Sequence, residues 1–207
     1  MSGEAEREPI VVVGAGGHAK VVIAAARAAG WTVRGVLDDD EARHGTAVLG
    51  ADVLGGTDRL VALGAPAVLA IGSNRARAAL DARLPDARWA TIVHPTAWLA
   101  PSVTLGPGTV VFAGCVVQPD AVLGRHVILN TGCSVDHDGA IGDYVHVAPG
   151  ARLAGAVTLG EGVFCGIGSC VIPERTVGEW TTVGAGAAVV GDLPARVTAV
   201  GVPARPR

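Results

Sequence analysis

From about Ala97 onward, hydrophobic residues recur with a period of six. Across sixteen successive hexads, from AWLAPS to AAVVGD, the third residue is Leu, Val or Ile in fifteen, and Cys165 is the exception. An α-helix repeats every 3.6 residues, so this period excludes long helices and predicts a solenoid of short strands that meet at tight corners. Three hexads would close a triangular coil, in which third positions point inward and equivalent residues stack about 4.8 Å apart.

The first half of the chain, to about Trp89, alternates between segments typical of strands and of helices. Strands are predicted at residues 10–13, 33–37 and 67–71, with further strand-like residues at 89–93. Helices are predicted over residues 21–29, 57–63 and 75–84. This alternation indicates a small parallel sheet. We therefore predict a Rossmann-like α/β domain over residues 1–94 and a parallel β-helix with a short C-terminal tail over residues 95–207. The period alone does not set the hand of the coil.

Composition and charge exclude several classes of function. The chain is 50% hydrophobic, only 3% aromatic and contains 30 glycines, which suits a tightly wound β structure. The net charge of -3 offers no basic field for nucleic acid or an anionic membrane. The sequence contains no apolar run of about 18 residues and begins with an acidic segment that lacks the order of a secretory signal. We therefore expect a cytoplasmic protein whose cysteines are free thiols.

A glycine-rich turn follows the first predicted strand and matches the pattern GxGxxG/A at Gly14, Gly16 and Ala19. Glycines in such a turn let the backbone approach a diphosphate, and the amino end of the next helix stabilises its charge. Asp38 and Asp39 end the following strand, where an acid that binds a ribose or base would lie. The pattern favours a nucleotide-containing ligand over a plain turn. NAD is the runner-up ligand, but the domain lacks a second half to hold nicotinamide.

Three histidines, His126, His137 and His146, fall within 21 residues of the coil. None occupies an inward third position, so all three are expected on the outer surface or at a subunit interface. Hexapeptide coils of the gamma carbonic anhydrase type bind zinc through three histidines, but two of those ligands are four residues apart. The gaps here are 11 and 9, so we predict no metal site.

His137 has the surroundings of a catalytic base. Asp136 and Asp138 flank it, and a carboxylate bonded to one ring nitrogen fixes the tautomer and raises the basicity of the other. Gly155 lies 18 residues later, hence one coil on at the same corner. The missing side chain leaves room for a thioester, and the backbone N–H there is a candidate oxyanion donor. His146 lies half a coil away. Cys133 is a weaker candidate nucleophile.

The chain resembles the sugar O-acyltransferase/N-acetyltransferase family, which includes sialic acid O-acetyltransferases and bacterial nucleotide-amino-sugar N-acetyltransferases. The resemblance rests on the segments VVVGAGGHAKVV, GVLDDD, AIGSN, TIVHPTAWLAPS, VILNTGCSVDHDGAIGDYVHVAPG and AVGVPARPR. It implies a left-handed β-helix that forms a homotrimer with active sites between subunits. It also implies that acetyl-CoA binds along the coil and that a nucleotide sugar binds to the first domain.

The family's functional residues carry over to matching positions of this sequence. The resemblance implies that His137 is the base and that Asp138, which is glutamate in some members, polarises it. The implied acetyl-CoA contacts are His146, Gly155, Ile167 and Ala185. The implied nucleotide-sugar contacts are Gly16, Gly17, His18, Asp38, Asp39, Gly72 and Asn130.

These residues predict direct N-acetylation of a nucleotide-linked amino sugar by acetyl-CoA, with no metal. One alternative is O-acetylation of a sialic acid or related sugar, since the same base would serve a hydroxyl. The alternative from another class is a catalytically inactive, nucleotide-binding trimeric scaffold, which the intact Asp-His-Asp cluster disfavours.

Overall fold

The computed structural model describes residues 8–207. Its first part is a five-stranded sheet formed by β1 (Ile10–Val13), β2 (Val33–Leu37), β3 (Ala47–Val48), β4 (Ala51–Gly55) and β5 (Ala67–Leu69). The strand order is β3-β4-β2-β1-β5, and all neighbours are parallel except the β3–β4 hairpin at one edge. The sequence predicted β1 and β2 correctly and made β5 two residues too long. It missed β3 and β4.

Three α-helices accompany this sheet, namely α1 (Gly17–Ala28), α2 (Leu60–Leu63) and α3 (Asn74–Arg83), with 3-10 turns at Glu41–Arg43 and Thr57–Arg59. Helix α1 begins four residues earlier than predicted, because Gly14 (φ +107°) and Gly16 complete the turn. One side of the sheet packs on α2 and α3, and the other packs on α1 and the coil. No helix within residues 8–207 is long and apolar enough to cross a membrane.

The remaining chain is a left-handed parallel β-helix with three faces, built almost entirely from two-residue strands. The first face contains Ile92–Val93, Val110–Val111, Ile128–Leu129, His146–Val147, Phe164–Cys165, Thr182–Val183, Thr198–Val200 and, antiparallel at its end, Arg205–Pro206. The second face contains Trp98–Leu99, Val116–Val117, Ser134–Val135, Arg152–Leu153, Cys170–Val171 and Ala188–Val189. The third face contains Thr104–Leu105, Val122–Leu123, Ala140–Ile141, Thr158–Leu159 and Thr176–Val177.

Strands that are 18 residues apart pair in parallel, as Ile128 does with His146, so the predicted coil is confirmed. The third positions form one continuous core, and Cys165 occupies its place there. First positions such as Val145 also enter this core, which the sequence interpretation did not foresee. The first coil strand, Ile92–Val93, pairs with Val110–Val111 although it precedes residue 95. The proposed boundary between residues 94 and 95 stays a prediction.

The first domain covers the first face of the coil. Val12 and Ile23 pack in one cluster with Val110 and Ile128, which are outward residues of that face. His126 and His146 lie on the outside of the coil, but the first domain of the same chain buries both. Their expected position in solvent or at a subunit interface is therefore corrected. The periodicity of the coil sequence shows which residues point outward. It carries no information about which outward face another domain covers.

Candidate active site

The corner between the second and third faces carries His137, and we call it the His137 corner. The chain leaves the strand Ser134–Val135 there and turns at Asp138, which has a positive φ of 59°. His137 Nδ1 lies 2.8 Å from a carboxylate oxygen of Asp138, and 61% of the His137 side chain is exposed. Asp136 accepts the backbone N–H of His137 at 2.8 Å. The corner is therefore a fixed, solvent-facing imidazole–carboxylate pair.

This pair has the electronic properties of a general base. The hydrogen bond to Asp138, with the nearby charge of Asp136, raises the pKa of His137 above its usual value. Because the carboxylate accepts from Nδ1–H, the neutral ring presents an unprotonated Nε2 to solvent. An imidazole whose basicity is raised in this way, with Nε2 free to accept a proton, suits general base catalysis.

Gly155 stacks directly above the imidazole, as the 18-residue period predicted. A Cβ atom added at Gly155 would lie 2.6 Å from both Cε1 and Nε2 of His137. The imidazole can hold this position only because residue 155 is glycine. Any side chain at residue 155 would collide with the ring near Nε2. The backbone of residue 155 therefore lies close to the proton-accepting nitrogen.

A second polar cluster joins Asn130 and His146 of the coil to Gly72 and His18 of the first domain. Asn130 Nδ2 lies 3.1 Å from His146 Nε2, and His146 Nδ1 lies 3.4 Å from the carbonyl oxygen of Gly72. The His18 ring lies 6.3 Å from that of His146 and 5.5 Å from that of Phe112. Burial lowers the pKa of His146 to about 3 and that of His18 to about 4, so both rings are neutral.

The glycines of the first loop divide into two kinds. A Cβ at Gly14 would lie 2.9 Å from Ile71, and φ is +107°, so the fold itself requires this glycine. Gly16 and Gly17, like Gly72, have nothing within 4 Å of an added Cβ. At Gly16 and Gly17 the missing side chains therefore keep space open at the amino end of α1, where backbone N–H groups favour a phosphate.

The two acidic residues after β2 are tied into neighbouring loops. Asp38 accepts the N–H of Ala15 at 2.6 Å. Asp39 accepts the N–H and hydroxyl of Thr57 and pairs with Arg83 at 3.2 Å, and the Thr57 bonds lower the pKa of this carboxyl. Both residues stay at the carboxyl edge of the sheet, where ligands of open α/β sheets bind.

Two cavities open at this edge of the sheet. A cavity of about 470 Å³ lies beside Gly16 and Gly17 and includes the cations Lys20 and Arg43. A cavity of about 660 Å³ includes Asp39 and the loop after β4. Together they offer a basic pocket suited to phosphate next to an acidic pocket that can accept base or sugar N–H and O–H groups.

The corner between the first and second faces, which we call the glycine corner, carries the remaining predicted contacts. Ile167 and Ala185 are both exposed there and stack in register, since Gly186 donates to the carbonyl oxygen of Ile167 at 2.8 Å. In five successive turns of this corner the left-handed position is a glycine, at residues 114, 132, 150, 168 and 186. Because these positions lack side chains, the corner is a smooth track with accessible backbone, suited to a long flexible ligand.

The predicted residues thus form separate groups within one chain. His137, Asp138 and Gly155 lie on the His137 corner, opposite the first face that carries His146. The sequence interpretation missed the deeply buried Arg77, which binds the carbonyl oxygens of Gly72 and of coil residues. The only feature of the sequence that pointed to Arg77 is the high arginine content of the predicted helix 75–84.

Two alternative chemistries find little support in the geometry. Cys133 is fully buried inside the coil, and its hydrogen bond with Cys115 raises its pKa well above the usual value. It therefore cannot meet a substrate as a thiolate. Within residues 8–207, no group of three or more His, Cys, Asp or Glu side chains is arranged to hold a metal ion.

Comparison with known proteins identifies the family. A family model described as the PglD N-terminal domain matches residues 9–84. A variant of perosamine N-acetyltransferase from Caulobacter crescentus, solved with CoA and GDP-perosamine, is 42% identical, with 96% of each chain covered and a TM-score of 0.91. The acetyltransferase domain of PglB from Neisseria gonorrhoeae, solved with acetyl coenzyme A, is 39% identical, with 97% of this chain and all of that chain covered and a TM-score of 0.88.

WeeI from Acinetobacter baumannii is 25% identical over 96% of this chain and 99% of its own, with a TM-score of 0.86. No curated protein sequence matches the chain significantly. The similarity to perosamine N-acetyltransferase spans both the α/β domain and the coil, so it confirms the resemblance found in the sequence. The chain therefore belongs to the hexapeptide-repeat acetyltransferases that act on nucleotide-linked amino sugars.

Proposed function

We propose that this enzyme transfers the acetyl group of acetyl-CoA directly to the amine of GDP-perosamine or a closely related nucleotide-linked amino sugar. The observation that carries the proposal is the His137–Asp138 pair with Gly155 above its Nε2. The similarity to perosamine N-acetyltransferase supports the class of acceptor. A cytoplasmic location, where both substrates would be available, stays a prediction.

In the proposed reaction, the amine lone pair attacks the thioester carbonyl carbon and forms the new C–N bond. His137 Nε2 accepts the proton that the amine loses, and Asp138 stabilises the resulting imidazolium. The backbone N–H of Gly155 donates to the oxyanion. The C–S bond then breaks, and His137 returns the proton to the CoA sulfur. Holding the two substrates together supplies much of the rate.

The remaining site residues are proposed from the resemblance and from their position. Acetyl-CoA would lie along the glycine corner, on Ile167 and Ala185, with its thioester between His146 and Gly155. The nucleotide sugar would lie at the carboxyl edge of the sheet, in contact with Gly16, Gly17, His18, Asp38, Asp39, Gly72 and Asn130. The two cavities there have the matching charge for phosphate and for base or sugar groups.

We further propose a homotrimer with active sites between subunits. One chain holds His137 on the side of the coil opposite Asn130 and the first domain. A neighbouring copy that presents its His137 corner to the glycine corner would complete the site. The proposal therefore explains why a catalytic base and its substrate pocket are separated within a single chain.

The substrate proposal is tested by incubating the protein with acetyl-CoA and GDP-, UDP- or dTDP-linked amino sugars while free thiol is measured. We expect thiol release with the GDP-linked amino sugar and a product heavier by one acetyl group. His137→Ala should lower kcat by about 100-fold or more, the range of general base catalysis, with an unchanged circular dichroism spectrum. Release only with hydroxyl acceptors such as sialic acid, or full activity of His137→Ala, would contradict the proposal.

The shared site is tested by coexpression of His137→Ala and Asn130→Ala chains. If each site uses His137 of one chain and Asn130 of another, about a quarter of the sites in an equal mixture combine two unaltered residues. Activity should then recover to roughly a quarter of the wild-type value, although each variant alone is impaired. Activity no greater than the mean of the two variants would place both residues in one chain's site.

A further inference from the structure

Arg77 is the most deeply buried cation of the described chain, with 1% of its surface exposed. None of the ion pairs within residues 8–207 includes it. Its guanidinium instead donates to carbonyl oxygens of two different domains. Nη1 reaches the oxygens of Ile71 and Gly72 at 3.0 and 3.1 Å, and Nη2 reaches that of Tyr144 at 2.7 Å. Nε reaches the oxygen of His126 at 3.2 Å.

A buried charge without a counter-ion is costly, and burial lowers the pKa of Arg77 to about 9. A leucine or methionine would fill a helix–coil interface at lower cost. The planar guanidinium, however, carries five N–H donors in fixed directions, which lets it hold several carbonyl groups at set angles. The arrangement therefore indicates that Arg77 serves to fix the orientation of these carbonyl groups and not merely to fill the interface.

One of the held carbonyl groups begins a chain of hydrogen bonds toward the substrate pocket. The Gly72 oxygen that accepts from Arg77 also lies 3.4 Å from His146 Nδ1. A carbonyl oxygen can only accept, so Nδ1 carries the proton. On the other side of the ring, His146 Nε2 faces Asn130 Nδ2 at 3.1 Å.

The amide of Asn130 supports the same tautomer independently. Asn130 Oδ1 accepts the backbone N–H of Thr131 at 2.8 Å, so its Nδ2 must be the atom that faces His146. Because Nδ2 donates, His146 Nε2 must be the unprotonated acceptor. Both ends of the imidazole thus require the same neutral form, with the proton on Nδ1.

We propose that Arg77 is a positioning residue for acetyl transfer, which fixes the Gly72 carbonyl, thereby sets the tautomer of His146 and so orients the Asn130 amide toward the sugar. The role in transfer rests on the proposed function, whereas the hydrogen-bond chain itself does not. Arg77 acts through Gly72 and His146 rather than by touching the substrate. Burial, and after it the positive charge of Arg77, lowers the pKa of both His146 and His18 and so keeps these rings neutral.

The tautomer is tested first in the unaltered protein, without any activity assay. Two-bond ¹H–¹⁵N correlation spectra of ¹⁵N-histidine-labelled protein distinguish a protonated Nδ1 from a protonated Nε2, and His146→Gln assigns the signal. We expect His146 to be neutral at pH 7, with the proton on Nδ1. A proton on Nε2 would overturn the proposal whether or not any Arg77 variant folds.

The kinetic consequence is tested with Arg77→Met, Arg77→Lys and the control Tyr144→Phe. Tyr144→Phe removes the 2.5 Å bond from the phenol to Asp81 in the same domain interface, but leaves Gly72 untouched. In Arg77→Met we expect the KM for the nucleotide sugar to rise about tenfold, the equivalent of one hydrogen bond, with kcat within threefold. We also expect mixed His146 tautomers. Arg77→Lys should recover part of the KM, and Tyr144→Phe should change neither KM nor the tautomer.

A purely structural role gives a different result. Arg77→Met would then lower the melting temperature but leave the KM of the folded enzyme and the His146 tautomer unchanged, which would overturn the proposal. Absence of acetyl transfer by the wild-type protein with every amino sugar would refute the proposed function alone. The spectra would still decide whether Arg77 fixes the His146 tautomer.

Discussion

At the scale of single residues, the exposed His137–Asp138 pair makes a pH-dependent prediction. Asp138 raises the pKa of His137, and a protonated His137 cannot accept the amine proton. The value of kcat/KM should therefore rise with pH through this pKa. In Asp138→Asn the pKa falls toward 6.5, so the acidic limb should move to lower pH while the plateau drops about 10- to 100-fold.

Rate profiles between pH 5 and 9 for both proteins measure this effect. The shift of the acidic limb is the decisive result, because a simple loss of folded protein would lower the plateau and leave the limb in place. An unmoved limb would assign the pH dependence to another group, such as the amine of the substrate.

Gly155 makes a steric prediction. A methyl group at residue 155 would lie 2.6 Å from His137 Cε1 and Nε2, so the imidazole must leave its position. Displacement of a catalytic group by about 1 Å can cost about 100-fold in rate, so kcat of Gly155→Ala should fall by at least that factor. The control is Gly191→Ala, two coils further on at the same corner, where an added methyl meets nothing within 4 Å. Equal activities of the two variants would show that the imidazole tolerates the contact.

The register of His137 with Gly155 could be predicted, whereas the burial of His146 could not. The first follows from an 18-residue period that is visible in one segment of sequence. The second depends on a domain that arrives from elsewhere in the chain. Arg77 shows the same limit, since it lies four residues before Asp81 and reads as half of an exposed helical ion pair. In the structure the two residues do not pair with each other. Arg77 binds backbone oxygens of the coil, whereas Asp81 binds side chains of the same coil segment.

At the scale of elements, the coil was predictable because one position in six decides which side chains are inward. The β3–β4 hairpin was missed because β3 has only two residues, and because β4 (ADVLG) contains a single β-branched residue, Val53, beside strand-disfavouring Asp and Gly. The start of helix α1 was predicted too late because glycine is a poor helix former. The helix nevertheless has Gly16 at its N-cap and Gly17 as its first residue.

The inward and outward positions of one strand give a direct test of this account. Leu159 is buried in the coil core, and its neighbour Thr158 is exposed on the third face. Leu159→Ala should lower the free energy of unfolding by about 2–5 kcal/mol, the usual cost of a cavity in a packed core. Thr158→Ala should stay within about 0.5 kcal/mol. Urea unfolding measures both, and similar losses would mean that the hexad phase is assigned wrongly.

At the scale of the whole molecule, the first domain and the coil share a polar interface. Asp81 of α3 accepts from the Tyr144 hydroxyl and lies 3.0 Å from Arg125 and 3.1 Å from His126. One helical turn earlier, Arg77 binds the backbone of the same coil segment. This interface joins the first domain to the coil through groups whose charge depends on pH.

The buried histidines of this interface predict destabilisation by acid. Burial lowers the pKa of His126 to about 4 and that of His146 to about 3, whereas both would titrate near 6.5 in the unfolded chain. Below about pH 6.5 the unfolded state therefore binds more protons, and the free energy of unfolding should fall as pH falls toward 4. Each histidine contributes about 1.4 kcal/mol per pH unit within this window.

Urea unfolding at fixed protein concentration between pH 7 and 4.5 measures this slope. The window lies above the range in which Asp39 takes up its proton, because its pKa is lowered in the folded protein. His146→Gln keeps a side chain of similar polarity but cannot bind the proton, so its slope should be smaller by about one proton. A slope identical to that of the wild type would mean that His146 is already protonated, or exposed, in the folded enzyme. Since the hydrogen bonds from Arg77 through Gly72 to His146 require a neutral His146, the same measurement also tests the proposed role of Arg77.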